Sequence, residues 1–205
     1  MSRTFNIDEQ FNQSVEEAVS IFKNGGIFIY PTDTIYGIGG DQLNNNVKRK
    51  IINLKKRDET KKFILLAGST KVIEKYAEID SLLLEKLNMI WPAPVSLIFK
   101  LKKFYQDEFE QQTAAFRIPN NEFCKKLLDR INSLLISTSV NREGKKPLNN
   151  YKKIIENYGS KVDAVFYTLK QSPEVSSTVI DLTEDKPKLL REGEIKFMDL
   201  LKKLS

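Results

Sequence analysis

Apolar residues recur at helical spacing near the start of this chain. Val15, Ala18 and Phe22 lie three and four residues apart, so they share one face of a helix that is predicted to begin at Ser14. Gly25 follows as a left-handed stop for that helix. The pattern therefore predicts an amphipathic helix whose apolar face packs on a core.

Short apolar runs, partly β-branched, predict strands. The first run, at 27–30, ends at Pro31, which lacks a backbone N–H, and 32–40 is expected to form a loop. The same criterion predicts strands at 63–66, 95–101, 114–118, 134–137, 162–168, 178–182 and 188–191. Helical spacing predicts further helices at 46–56, 70–76, 81–90, 122–130, 150–157 and 196–201.

The order of these elements indicates the fold class. The late strands follow one another without helices between them, which argues against a purely parallel sheet. We expect an α+β protein with α/β-type layers, in which helices flank a mixed, twisted β-sheet. The sequence contains no repeat, low-complexity tract or linker that divides it, so residues 1–205 are predicted to form a single domain.

Composition restricts the chemistry. The chain has 33 Lys and Arg against 27 Asp and Glu, a net charge of +6, which favours an anionic partner such as a nucleotide or RNA. It has no histidine, so a Ser-His-Asp triad is excluded and a zinc site is disfavoured. Cys124 is the only cysteine, and the chain carries neither a membrane-spanning run nor a secretory signal. We expect a cytoplasmic protein without membrane contact.

Three predicted strands lead directly into polar segments. The strand at 27–30 runs into Pro31-Thr-Asp-Thr, the strand at 134–137 into Thr138-Ser-Val-Asn, and the strand at 188–191 ends at Arg191-Glu-Gly. Ligands of open sheets usually bind where strand ends meet such loops. Each segment taken alone could equally be a surface turn, but the three together favour a binding site.

Basic residues cluster around the end of the predicted helix 46–56. Such a run is usually a solvated helix face, but Lys55 and Arg57 stand at the helix end beside a loop, from which they can reach a cleft and bind phosphate. Arg117 ends an otherwise apolar strand and needs a carboxylate partner from the protein or a ligand.

Further polar residues sit in the segments that follow strands. Ser137, Ser139 and Asn141 alternate, so they share one face of an extended segment and could contact phosphate or sugar. Asp33 could hold a metal ion or cap a turn, and the cap is the preferred interpretation. Residues 138–147 contain Gly144 and could form either a mobile lid or an ordinary exposed loop.

Seven motifs in order resemble one known family. They are PTDTIYGIG, KKR, WPAPVSLIF, TAAFRIP, ISTSVN, SSTVIDLT and LLREG, and they run from about Gly25 to Gly193. This ordered set resembles the signature of the YrdC-like threonylcarbamoyl-adenylate synthases. The resemblance implies a mixed, strongly twisted sheet with a deep, basic concave face.

The resemblance also implies an activity. Enzymes of this family convert L-threonine, bicarbonate and ATP into threonylcarbamoyl-AMP and pyrophosphate, usually with Mg²⁺. The product feeds proteins that transfer the threonylcarbamoyl group to an adenosine of tRNA. The chain is thus expected to be a nucleotidyltransferase of tRNA processing, and the resemblance leaves open whether it binds tRNA or RNA itself.

Site residues follow from the matching motifs. Lys55 and Arg57 are implied as catalytic residues. The residues implied to hold ATP are Lys55, Arg57, Thr113, Ser139, Asn141 and Arg191. Those implied to hold threonine are Thr34, Arg117, Ser137 and Ser177, with Arg117 on the carboxylate. The resemblance implies no protein ligand for a metal.

The sequence departs from the family pattern at three positions. Ala93 replaces a commoner glycine, Asp58 follows Arg57 where proline is frequent, and Leu66 stands where several relatives place a threonine-contacting histidine. Two alternatives therefore stay open. One is a divergent YrdC-like protein with another substrate, and the other is a non-catalytic RNA-binding module.

Overall fold

The structure is a computed structural model that describes residues 3–204, and a mixed β-sheet forms its centre. Its strands are β1 (Arg3–Asn6), β2 (Phe28–Tyr30), β3 (Gly37–Gly39), β4 (Ile64–Leu66), β5 (Val95–Lys100), β6 (Thr113–Arg117), β7 (Leu135–Ser139), β8 (Ala164–Tyr167), β9 (Thr178–Asp181) and β10 (Lys188–Arg191). They lie in the order β1-β8-β2-β3-β7-β4-β6-β5-β9-β10. The pairs β1–β8, β2–β8, β4–β6 and β5–β9 are parallel and the other pairs are antiparallel, which confirms the predicted mixed sheet.

Helices connect and cover the strands. They are α1 (Phe11–Lys23), α2 (Asn45–Lys55), α3 (Thr70–Tyr76), α4 (Ser81–Ile90), α5 (Lys103–Phe109), α6 (Glu122–Ile131), α7 (Tyr151–Tyr158) and α8 (Phe197–Leu204). Side chains of Asn44, Ser69, Asp80, Asn121 and Asn150 accept hydrogen bonds from first-turn N–H groups, so each caps its helix. None of the helices in residues 3–204 is long and apolar enough to cross a bilayer.

Alternation along the strands builds a separate apolar core on each sheet face. Ile29, Leu65 and Ile136 point to one face, where helices α2, α3, α4, α5, α7 and α8 pack. Phe28 and Leu66 point to the other face, where only α1 and α6 pack, against strands at one end of the sheet. The remaining part of that second face is left open as a concave surface.

The expected loop at 32–40 is wrong in part, because β3 pairs with both β2 and β7 inside it. Three residues with two glycines give no apolar run that sequence patterning can detect. Two glycines of the segment 32–40 are required by packing. A Cβ on Gly39 would lie 2.6 Å from the Ile136 carbonyl oxygen, and one on Gly40 would lie 2.4 Å from the Val47 side chain. Both glycines permit close packing within the protein.

Two elements were not predicted at all, β1 and α5. Both are short and mostly exposed, so they carry little apolar periodicity. The strand predicted at 134–137 extends to Ser139, and the helix predicted at 46–56 ends at Lys55, with Lys56 in the left-handed conformation at φ 50°. The remaining predicted elements are present, with ends displaced by a few residues.

Phe166 tests the core on the α1 and α6 side. Its buried ring lies 5.2–5.7 Å from the rings of Phe5, Phe28 and Phe123. Phe166→Ala is expected to lower the free energy of unfolding by about 3–5 kcal/mol, because its three aromatic neighbours cannot move to fill the cavity that is left. Urea denaturation measures this. Phe104→Ala is the control, since Phe104 is 70% exposed and its loss should cost less than about 0.5 kcal/mol. Equal effects would contradict this packing.

Candidate active site

A cavity of about 430 Å³ occupies the open part of the second sheet face. Its floor consists of four residues that lie side by side on the adjacent strands β7, β4, β6 and β5. They are Ser137, Ile64, Ala115 and Ile98. Residues in such a row point to the same face of a sheet. Strand pairing thus sets the shape of the floor.

The walls of the cavity are polar and cationic. Among the described residues that line it, Arg57, Lys62, Arg117 and Arg191 are basic and none is acidic. Uncompensated positive charge around a concave surface attracts anions. Eight of the ten predicted site residues line this cavity, namely Thr34, Arg57, Thr113, Arg117, Ser137, Ser139, Ser177 and Arg191.

Arg117 is the buried cation at one end of the cavity, with 4% of its side chain exposed. Its Nη1 donates to Thr34 Oγ1 at 3.0 Å, and its Nη2 lies 3.6 Å from Asp33 Oδ1. Its Nε has no hydrogen-bond partner among the described residues. Asp33 also accepts from the backbone N–H of Asn120 at 2.9 Å. Its carboxylate thus pairs with Arg117 and with a backbone group 87 residues away, so the interpretation that Asp33 caps a local turn is wrong.

Arg191 and Ser177 form a second polar group on the same cavity. Arg191 donates from Nε to the Ser177 carbonyl at 3.0 Å and from Nη2 to Ser177 Oγ at 3.1 Å. Ser177 Oγ also lies 2.9 Å from Ser96 Oγ. Burial, and then the charge of Arg117, lowers the pKa of Arg191. Gly193 is required nearby, because a Cβ there would lie 2.1 Å from the Ser176 carbonyl oxygen.

Lys55 and Asn141 are the two predicted site residues that do not line the cavity. The buried Lys55 ammonium donates to the carbonyl of Ser139, and to the carbonyl and Oδ1 of Asn141 at 3.0 Å each. Ser139 Oγ donates to the same Oδ1 at 2.5 Å. Burial, and then the charge of Arg57, lowers the pKa of Lys55 to about 8. The ammonium therefore lies behind the cavity wall and holds Ser139 and Asn141 in place.

Arg57 reaches the cavity from the loop after α2. Its Nη2 donates to the Lys62 carbonyl at 2.7 Å, and its guanidinium carbon lies 5.1 Å from the centre of the Phe63 ring. Burial lowers the pKa of Arg57, although nearby Glu143 partly offsets this. Lys62 donates to Thr113 Oγ1 at 2.8 Å, so two cations are fixed on this side.

Sequence reasoning missed several lining residues. Lys62 was only one member of the basic run, while Tyr36, Ile98 and Val179 were assigned no role in the site. Alternation in the strands from 95 and 178 could have placed Ile98 and Val179 on one face. Nothing in the local sequence singles out Lys62, because its partner Thr113 is 51 residues away.

Three other residues serve packing. Leu66 is fully buried in the core beside α1 and α6 and does not line the cavity. Cys124 is buried with Sγ 3.5 Å from the Pro31 carbonyl, and burial raises its thiol pKa. Trp91 is buried and donates from Nε1 to the Val95 carbonyl at 2.7 Å.

Solved structures share this fold. E. coli YciO matches with a TM-score of 0.83 at 24% identity, over 96% of this chain and 98% of that chain. P. abyssi Sua5, solved in complex with L-threonine, matches with a TM-score of 0.82 at 26% identity over 92% of this chain. This chain spans 56% of that Sua5 chain. The class of protein is therefore the YrdC-like α+β fold with a basic concave face.

Sequence comparison gives the family itself. The Sua5/YciO/YrdC family, described as telomere recombination, matches residues 20–193. A threonylcarbamoyl-AMP synthase of Coxiella burnetii (strain RSA 493 / Nine Mile phase I) is 32% identical over 160 residues, which are 77% of this chain and 86% of that relative. The chain belongs to the Sua5/YciO/YrdC family, as its ordered motifs predict.

The Asp33–Arg117 pair predicts a measurable cost in stability. Asp33→Ala leaves a buried guanidinium without its carboxylate, so the free energy of unfolding is expected to fall by about 3–5 kcal/mol in urea denaturation. Glu16→Ala is the matched control, because it removes the exposed ion pair with Arg130 and should cost at most about 1 kcal/mol. Equal small losses for both variants would show that Arg117 needs no protein partner.

Proposed function

We propose that this protein is an L-threonylcarbamoyladenylate synthase. It would convert L-threonine, bicarbonate and ATP into threonylcarbamoyl-AMP and pyrophosphate. The observation that carries the proposal is the charge of the cavity. Four cations line it, and none of the described residues that line it is acidic. One of these cations, Arg117, is buried and has an Nε without a hydrogen-bond partner among the described residues. All three substrates carry negative groups, namely the carboxylate of threonine, bicarbonate and the triphosphate of ATP, and the relatives' names support the same reaction.

The chemistry needs no histidine. The threonine amine combines with bicarbonate to form a carbamate and water. A carbamate oxygen then attacks the α-phosphorus of ATP, and pyrophosphate leaves with the electron pair of the broken P–O bond. Positioning of the reactants and neutralisation of the phosphate charge by fixed cations lower such a barrier.

The proposed threonine end of the cavity is built around Arg117. Arg117 would bind the threonine carboxylate with its free Nε and adjacent Nη, a charge-assisted contact. Thr34, Ser137 and Ser177 would surround the rest of the amino acid, because their hydroxyls line the same cavity. Asp33 pairs with the guanidinium and orients it.

The proposed ATP end lies on the side of Arg57. Arg57, Thr113, Ser139 and Arg191 line the cavity and would contact the nucleotide directly. Lys55 and Asn141 would act from behind the wall by holding Ser139. We propose Arg57 as the residue that stabilises charge on the leaving pyrophosphate, and Lys55 as its support.

Magnesium would enter as part of the substrate. Among residues 3–204 there is no group of three or more Asp, Glu, Cys or His side chains arranged to hold a metal ion. Mg²⁺ commonly binds ATP through the phosphate oxygens with water completing its shell. We propose MgATP as the nucleotide substrate.

The proposed reaction also indicates partner proteins and a cellular location. Threonylcarbamoyl-AMP is a reactive mixed anhydride, so proteins that transfer the threonylcarbamoyl group to tRNA are the proposed partners. Residues 1–205 would act as a single domain, supported by one sheet that includes strands from both ends of the chain. The cytoplasm is the proposed location, where ATP and tRNA are present.

Pyrophosphate release tests the proposal. Purified protein with MgATP is expected to release pyrophosphate only when both L-threonine and bicarbonate are present, and much more slowly with L-serine or glycine. ATP binding without threonine-dependent turnover would instead support a divergent relative with another substrate. Failure to bind ATP would leave a non-catalytic RNA-binding module as the better interpretation.

Two variants should separate the ends of the cavity. Arg57→Ala is expected to raise the KM for ATP or lower kcat by about tenfold or more, with little change in the KM for threonine, because a charge-assisted contact is typically worth about 1.5–3 kcal/mol. Arg117→Lys keeps the charge beside Asp33 but loses the planar fork, so the KM for threonine should rise. Steady-state kinetics measures both. The same change in both KM values would contradict the assignment.

A further inference from the structure

Glu143 joins the two loops that border the proposed ATP end of the cavity. Its Oε2 accepts from the backbone N–H of Asp58 at 2.8 Å, and its Oε1 pairs with the ammonium of Lys61. Its own backbone N–H donates to the Lys55 carbonyl at 2.9 Å. We call Glu143, Asp58 and Lys61 the Glu143 latch. It connects loop 138–147 to loop 56–62.

Each latched loop adjoins a residue of the cavity. Loop 56–62 holds Arg57, whose guanidinium donates to the carbonyls of Lys61 and Lys62 in the same segment. Ser139, the last residue of β7, leads into the other loop and lines the cavity. A movement of loop 56–62 relative to the end of β7 would therefore change the distance between Arg57 and Ser139.

The Glu143 carboxylate is suited to this link. It lies at the surface with 28% of its side chain exposed and is not among the cavity-lining residues. The hydrogen bond from Lys61, followed by that from Asp58, lowers its pKa, so it is ionised at neutral pH. Gly144, at φ +76° with no atom within 4 Å of an added Cβ, makes an open turn just after it. The other hydrogen bonds of this turn are local, from the Lys145 N–H to the Arg142 carbonyl at 3.1 Å and from Asn141 Nδ2 to the Lys145 carbonyl at 2.6 Å.

We propose that Glu143 is a positioning residue for ATP, which sets the spacing of Arg57 and Ser139 by latching their loops together. The effect on catalysis rests on the proposed function, whereas the latch itself does not. Glu143 acts without touching substrate, since its carboxylate is occupied by Asp58 and Lys61 outside the cavity. Arg117 and Ser177, at the proposed threonine end, take no part in these contacts.

Kinetics gives the first test. Glu143→Ala is expected to raise the KM for ATP by about three- to tenfold and to leave the KM for threonine within about twofold, because only the ATP end loses its spacing. Glu143→Gln keeps an oxygen for the Asp58 N–H and should recover part of the loss. The matched control is Glu16→Ala, which removes an exposed ion pair far from the cavity and should change neither KM.

Asp58 supplies a second test that leaves loop 138–147 unaltered. Asp58→Pro removes the N–H donor, whereas Asp58→Ala keeps it and removes only the side chain that bonds Thr60. Limited trypsin digestion reports opening of the loop through cleavage after Arg142 and Lys145. Cleavage is expected to be about fivefold faster in Asp58→Pro than in Asp58→Ala. The double variant Asp58→Pro/Glu143→Ala should have the same KM for ATP as Glu143→Ala. Glu143→Ala already breaks the hydrogen bond between the Asp58 N–H and the Glu143 carboxylate, so Asp58→Pro has nothing further to remove.

The proposed function, the latch and the positioning role of Glu143 are each contradicted by a different result. Absence of threonine-dependent pyrophosphate release from the wild type would overturn the proposed function, and the digestion experiment would still test the latch. Equal digestion of Asp58→Pro and Asp58→Ala would overturn the latch. Equal effects of Glu143→Ala on the KM values for ATP and threonine would overturn the positioning role.

Discussion

The buried guanidinium of Arg117 is the constraint on which the site depends. A charge removed from water must be paired and hydrogen-bonded, so the segment after β2 is drawn over the end of β6 to supply Thr34 and Asp33. Asp33 in turn accepts the N–H of Asn120 and ties down the start of α6. One Arg117 N–H is left without a protein partner. The same interactions that stabilise this part of the fold therefore fix a cation at one end of the cavity.

The open face of the sheet explains why a cavity exists there. Of the described helices, only α1 and α6 pack on that face, at one end of the sheet, while six helices pack on the opposite face. The uncovered strands present the row of Ser137, Ile64, Ala115 and Ile98 as a floor. The loop after α2 and the ends of β6 and β10 then supply the cations. A cavity of this kind can gather anionic substrates and fix them without a general base, which suits a chain that has no histidine.

Much of the fold could be predicted from local pattern, and the rest required distant contacts. Helix α1 can be predicted from the spacing of its apolar residues. The helices that begin after Ser69 and Asn121 can be predicted from apolar spacing together with a residue that can cap a helix. Strand β3 was missed because it is defined by two neighbouring strands and not by its own residues. The eight lining residues were found through ordered motifs. Lys55 was expected to face phosphate, but its acceptors lie 84 and 86 residues away, beyond any local periodicity.

The most direct test of the account is the identity of the product. The protein would be incubated with L-threonine, MgATP and ¹³C-bicarbonate, and the nucleotides would be analysed by mass spectrometry. The account predicts threonylcarbamoyl-AMP that carries the label in its carbamoyl carbon, together with an equal amount of pyrophosphate. Formation of an adenylate without the labelled carbon, or of no adenylate from protein that binds both ATP and threonine, would contradict it.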